Sequence, residues 1–252
     1  MTRRPRLIRA VAALAAGAAL LALSACPSAA SENAAKAEYH YKLASNFFYD
    51  NNPQSAITEL YSALKLDDHH ARAHALLGFI YFGRKDYVRA AKHLEMAVTI
   101  DPNLDEATAN LGNVYLATEQ WEAAVPYFER LLSRPLYRTP YLAQNNLGWA
   151  LLNLGRVEEA RKYFQLAVFY NPKFCLAYNN LGRLNAQQGE TRLALERFHK
   201  AAKLCPNYAE PHYFLGRIYA ALGAPKEAAR HYQRCYKLAP ESPYGRRCGD
   251  AL

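Results

Sequence analysis

The chain has 252 residues and a mass of 28.4 kDa, with 51% hydrophobic residues, 12 glycines and 13 prolines. That much apolar surface can offset the ordering entropy and excludes intrinsic disorder, and 5 cysteines over this length exclude a small disulfide scaffold. A formal charge of +9 points at face value to a nucleic-acid or membrane partner.

Residues 2–9 carry four arginines (Arg3, Arg4, Arg6 and Arg9) and no acid. Thirteen residues of Val, Ala, Leu and Gly follow at 11–23, giving the layout of a secretory signal. A bilayer-spanning helix needs roughly 20 apolar residues, so the run is too short to remain as an anchor. Leu23-Ser24-Ala25-Cys26 resembles the lipobox of bacterial lipoproteins. The resemblance implies removal of residues 1–25 and acylation of Cys26; the competing reading is an ordinary signal peptide with an incidental cysteine. Pro27 stands where aspartate marks retention at the inner membrane, which by the same resemblance implies the outer membrane of a Gram-negative cell. Residues 26–36 then read as a lipidated cysteine followed by a flexible tether of small and polar residues.

The rest is one pattern written six times. Small residues recur as Ala44, Gly78, Gly112, Gly148, Gly182 and Gly216, at steps of 34, 34, 36, 34 and 34. A leucine precedes each one. Twelve residues on stands an alanine (Ala56, Ala90, Ala124, Ala160, Ala194, Ala228), and four further a large side chain (Leu60, Leu94, Phe128, Phe164, Phe198, Tyr232). Small residues at the eighth and twentieth positions let two antiparallel helices approach closely, and Pro102, Pro172, Pro206 and Pro240 stop the second helix. The pattern resembles the tetratricopeptide repeat, which implies an all-α solenoid of helix-turn-helix units at 37–70, 71–104, 105–138, 141–174, 175–208 and 209–242. One hairpin cannot bury its own face, so stability has to come from stacking. Residues 243–252 are too few for another repeat and read as a C-terminal cap.

Without Cys26 four cysteines remain, which allows three disulfide pairings. Cys175 opens the first helix of repeat five and Cys205 follows its second, ends that lie together in an antiparallel pair. Cys235 holds a small inward position and Cys248 lies in the tail. The favoured pairs are Cys175–Cys205 and Cys235–Cys248, with Cys235 as a plain core residue the alternative. His69, His70 and His74 suggest a metal site, but two lie in a turn and His74 shares its fourth position with His40 and His212. The expectation is therefore structural histidines, no metal and no cofactor. No phosphate-cradling loop or nucleophile elbow occurs, and Glu158-Glu159 starts a helix, where carboxylates favour the dipole. An enzyme is not expected.

Solenoids of this kind present the first helix of each repeat along a concave groove. Positions two, five, nine and twelve then supply Tyr41, Phe48, Phe79, Phe82, Asn113, Leu116, Asn145, Trp149, Leu152, Leu176, Asn179, Arg183, Tyr213 and Arg217. The packing pattern does not require rings there, so they mark an interaction surface, unless they contact adjacent helices. Asn110, Asn146 and Asn180 share the sixth position of repeats three, four and five. Such amides can grip an extended peptide backbone, resembling the asparagine ladder of O-linked N-acetylglucosamine transferase; the alternative is tolerated surface asparagines.

The 36-residue step contains Leu136-Tyr137-Arg138-Thr139-Pro140 before Asn145-Asn146-Leu147-Gly148. With the lipobox, it resembles the type IV pilus lipoproteins PilF, PilW and Tgl. That resemblance implies a pilotin, which accompanies a secretin to the outer membrane and promotes ring assembly. The competing function is another envelope scaffold, for polysaccharide export, outer-membrane assembly or peptidoglycan hydrolases. The expected state is a lipid-anchored monomer on the periplasmic face. Four positive charges belong to the signal, and the exported compartment and the solenoid fold argue against nucleic acid as a partner. Residues 175–252 hold the remaining excess, 12 basic against 6 acidic.

Overall fold

A computed structural model describes residues 29–252. The basic start, the apolar run and Cys26 lie outside the described residues. Within them, six antiparallel helical hairpins follow one another: α1 (Ala29–Tyr49) with α2 (Pro53–Leu66), α3 (Ala71–Gly83) with α4 (Tyr87–Ile100), and α5 (Asp105–Ala117) with α6 (Trp121–Leu132). Then come α7 (Pro140–Asn153) with α8 (Val157–Tyr170), α9 (Cys175–Gln187) with α10 (Thr191–Leu204), and α11 (Ala209–Ala221) with α12 (Pro225–Leu238). A short helix, α13 (Pro243–Gly249), packs on the last hairpin.

The small eighth position closes each hairpin. A Cβ added at Gly182 would lie 2.8 Å from two ring carbons of Phe198, and one at Gly112 would meet the end of the Phe128 ring at the same distance. Those rings are buried, as are Leu60, Leu94 and Phe164 at the same repeat position. Each side chain therefore fills the space that the opposite residue vacates. Removing such a ring would cost about 3–5 kcal/mol.

Both ends of each helix follow from local chemistry. Asn52, His70 and Asp86 cap α2, α3 and α4 by accepting from backbone amides in the first turn. Asp101, Asn171 and Cys205 precede prolines and take up extended conformations that end α4, α8 and α10. Every first helix ends on a residue of positive φ at the fifteenth repeat position: Asn51, Lys85, Glu119, Gly155, Gly189 and Gly223. The next amide then donates back five residues, as Asp86 does to Tyr81.

One feature departs from the sequence reading and another adds to it. The segment expected as a flexible tether is helical from Ala29 onward. Its alanines favour helix, and Lys36 pairs with Glu32 at 2.7 Å one turn away. The other lies between α6 and α7, where the extra residues form a clamped connector. Arg134 reaches back to the Pro102 and Asn103 carbonyls and the Asp105 carboxylate, Tyr137 tucks against the core, and Leu136 is left 92% exposed.

Candidate functional site

Successive first helices touch one another throughout: α1 with α3, α3 with α5, and on to α9 with α11. Successive second helices do not bring their backbones as close and meet through long side chains, as Tyr61 of α2 meets His93 of α4 and His199 of α10 meets His231 of α12. The stack therefore curves with its first helices inside, and they line the concave face.

The ninth repeat position follows the glycine that seats the hairpin. From repeat one to six it holds Ser45, Phe79, Asn113, Trp149, Arg183 and Arg217, so the row changes from apolar through amide and indole to basic. At the apolar end Phe79 is 41% exposed and meets Phe48 edge to face, with ring centroids 5.6 Å apart. Phe82 is half-buried against Tyr87. In the middle, Trp149 stands edge-on to Trp121 and carries the Arg183 guanidinium 4.3 Å above its ring. The cation over the ring is drawn to its negative face. Arg183 also donates to Glu210 at 2.9 Å and lies 3.4 Å from the Tyr244 hydroxyl, so α13 contributes to this end of the groove. Tyr208 donates to the same carboxylate. Burial, with Glu210 beside it, raises the Tyr208 hydroxyl well above the usual phenol range.

The asparagines form a chain rather than a row of independent amides. Asn180 donates to Asn145 (2.9 Å), Asn145 to Asn146 (3.2 Å) and Asn146 to Asn113 (2.8 Å), which ties repeats five, four and three together. Asn146 and Asn180 each use one of their two amide hydrogens in this way and Asn113 only accepts, which leaves hydrogens for an occupant. Asn110 is half-buried and stands outside the chain. The fifth position does not face the groove as the sequence reading had it. Asn145 is 6% exposed and Asn179 only 1%, the latter with both amide atoms unpartnered. That position lies in the seam between consecutive first helices, where Tyr41 likewise packs on His70 and under Arg72. Leu116 and Leu152 are half-buried against the core beside the groove.

The three neighbouring histidines diverge. His69 is exposed and bonded to Asp68, His70 caps α3 and contacts Glu38, and His74 faces His93 with Nδ1 atoms 3.0 Å apart. His212 and His231 repeat that last geometry in repeat six, again at 3.0 Å. Tyr81 stacks on His93 as Tyr219 does on His231. Burial pushes His93, His212 and His231 down to about 4, helped by neighbouring cations and imidazoles. The signal in the sequence was histidine at both the fourth and twenty-third positions of repeats two and six. Cys175 is joined to Cys205 inside repeat five, and Cys235 to Cys248 across to the cap.

A stack of helical hairpins whose inner face carries rings, amides and guanidiniums is a scaffold that binds segments of other proteins. The chain belongs to the tetratricopeptide-repeat family: family models described as tetratricopeptide repeat match residues 41–105 and 110–173, 81–135, and 174–241. Among solved structures it is similar to PilW, a widely conserved type IV pilus biogenesis factor, with a TM-score of 0.73 and 23% identity over 84% of this chain and 97% of that one. It is also similar to PilF of Pseudomonas aeruginosa, with a TM-score of 0.71 and 18% identity over 88% of this chain and all of that one. Among curated proteins it is 29% identical to an uncharacterized protein of Haemophilus influenzae over 106 residues, 42% of this chain. The match spans 58% of that relative's length.

Proposed function

We propose that the chain is a non-enzymatic lipoprotein of the Gram-negative outer membrane that binds a type IV pilus secretin and promotes its targeting and assembly. One coincidence carries this reading. The sequence that resembles a lipobox at Cys26 precedes a six-hairpin solenoid similar to essentially the whole of PilW and PilF. In this role the acyl chains supply the membrane address, since two or more chains hold a protein stably at a bilayer. The groove supplies the grip: Phe48, Phe79 and Trp149 take apolar side chains of a secretin segment, while Asn113, Asn146 and Asn180 hold its backbone.

The test is a deletion strain probed for detergent-resistant secretin multimers. Rings should disappear while secretin monomer persists, and the wild-type gene should restore them. A folded Phe79→Asp, Trp149→Asp variant should not restore them. Unchanged rings and pili in the deletion strain would rule out this role and leave another envelope assembly as the scaffold's task.

A further inference from the structure

At the basic end of the groove, an open depression of about 430 Å³ lies between α9 and α11. Its polar lining is Arg183 and Arg217, both at the ninth repeat position, with Gln187; its apolar lining is Phe214, Ile218, Ala186 and Ala221. The two guanidiniums differ in what already satisfies them. Arg183 is held by Glu210, by Trp149 beneath it and by Phe214, yet only its Nη1 hydrogens are committed, so Nε and Nη2 remain free to donate. Arg217 is exposed, contacts the Tyr213 ring, and among the described residues faces no carboxylate within ion-pair distance. The site thus holds one uncompensated positive charge and one preoriented donor edge, within a stretch that has 12 basic against 6 acidic residues.

We propose that this depression receives an internal segment of a partner protein in which an acidic side chain neighbours a large apolar one. The carboxylate takes the paired guanidinium edges, whose planar fork matches its two oxygens. The apolar side chain lies on Phe214 and Ile218. A small inorganic anion would use the arginines and leave the apolar floor bare, so the two wall chemistries together favour a peptide. The inference deepens the groove reading and rests on it, but it needs no secretin and no living strain, so its failure leaves the ring assay untouched.

The test uses fluorescein-labelled octapeptides acetylated and amidated at their ends, alternating Glu with Phe, Gln with Phe, or Glu with Ala, titrated into the lipid-free chain by fluorescence anisotropy. The Glu-Phe peptide should bind at least tenfold more tightly than either relative and weaken as salt rises. Arg217→Glu should weaken it at least tenfold. Arg230→Glu, the same charge change on exposed α12, should leave it within twofold. Three results would overturn the proposal: equal binding of the Gln-Phe peptide, equal loss in both arginine variants, or displacement by millimolar inorganic phosphate with the Glu-Ala peptide as tight as Glu-Phe. A fourth peptide, Glu-Phe with a free C-terminus, is the last control: binding by it alone would reassign the site to a chain-terminal carboxylate and equally overturn the proposal.

Discussion

Gly148→Ala tests the close approach of helices on which the fold depends. The added Cβ would sit 2.8 and 2.9 Å from two carbons of the Phe164 ring and 3.2 Å from the Ala160 carbonyl oxygen. The ring is fully buried and has nowhere to move. Replacing glycine inside a helix gains about 1 kcal/mol, against roughly 2–3 kcal/mol for overpacking at the upper end of the usual range, since the ring cannot move, so a net loss of about 1–2 kcal/mol is expected. Phe164→Leu alone leaves a void and should also lose about 1–2 kcal/mol. The double variant recreates the pair that repeat one already carries, Ala44 opposite Leu60, both fully buried. It should therefore fall within about 1 kcal/mol of wild type, a coupling of roughly 2 kcal/mol. The assay is guanidinium unfolding followed by far-ultraviolet circular dichroism, fitted as a stack of coupled repeats. If the single effects add to within about 0.5 kcal/mol, the glycines are not there to seat the rings.

Acid should weaken the hairpins of repeats two and six. His93, His212 and His231 have folded values near 4 against an ordinary 6.5. The unfolded chain then binds more protons between those values, and stability should drop as pH falls from about 6.5 towards 4; a flat unfolding midpoint across that window would refute it. Asn145→Ala should lose about 1 kcal/mol with the link to Asn180, whereas Asn179→Ala removes an amide that has no partner and should be near neutral; thermal unfolding separates them. Replacing Cys235 and Cys248 by serine opens a loop of sequence separation 13, worth about 3 kcal/mol in chain entropy. Hydrogen exchange should then rise in α13 while α3 is unaffected.

The fold was legible because its determinants are local and repeated. Leu147, Gly148, Ala160 and Phe164 each do one steric task, and the same task recurs at fixed spacing along the chain. The groove was legible only in part. Its ninth-position row can be counted from the glycines, but whether a fifth-position side chain faces the groove or the seam depends on how far each hairpin rotates against the next. That rotation is a property of neighbouring repeats, and no single repeat encodes it, which is why Asn179 looked like lining and is interior. The network around Arg183 was hidden for a similar reason. Glu210 lies in the next repeat and Tyr244 in the cap, 61 residues away in sequence. The positive-φ position did leave a trace, glycine at 155, 189 and 223, but Lys85 and Glu119 masked it in the earlier repeats.

First helices whose backbones meet, with second helices joined only through side chains, amount to a hinge line along the inner face. A hairpin that splays outward breaks few contacts on the convex side, such as Tyr61 on His93 and His199 on His231. Bending stiffness then resides in the seams, in side chains such as Tyr41, Asn145 and Asn180. An occupant bonded to several first helices spans those same seams and braces them from within. The width of the channel and the state of its occupancy are thus a single mechanical variable, and whatever fills the groove also sets its curvature.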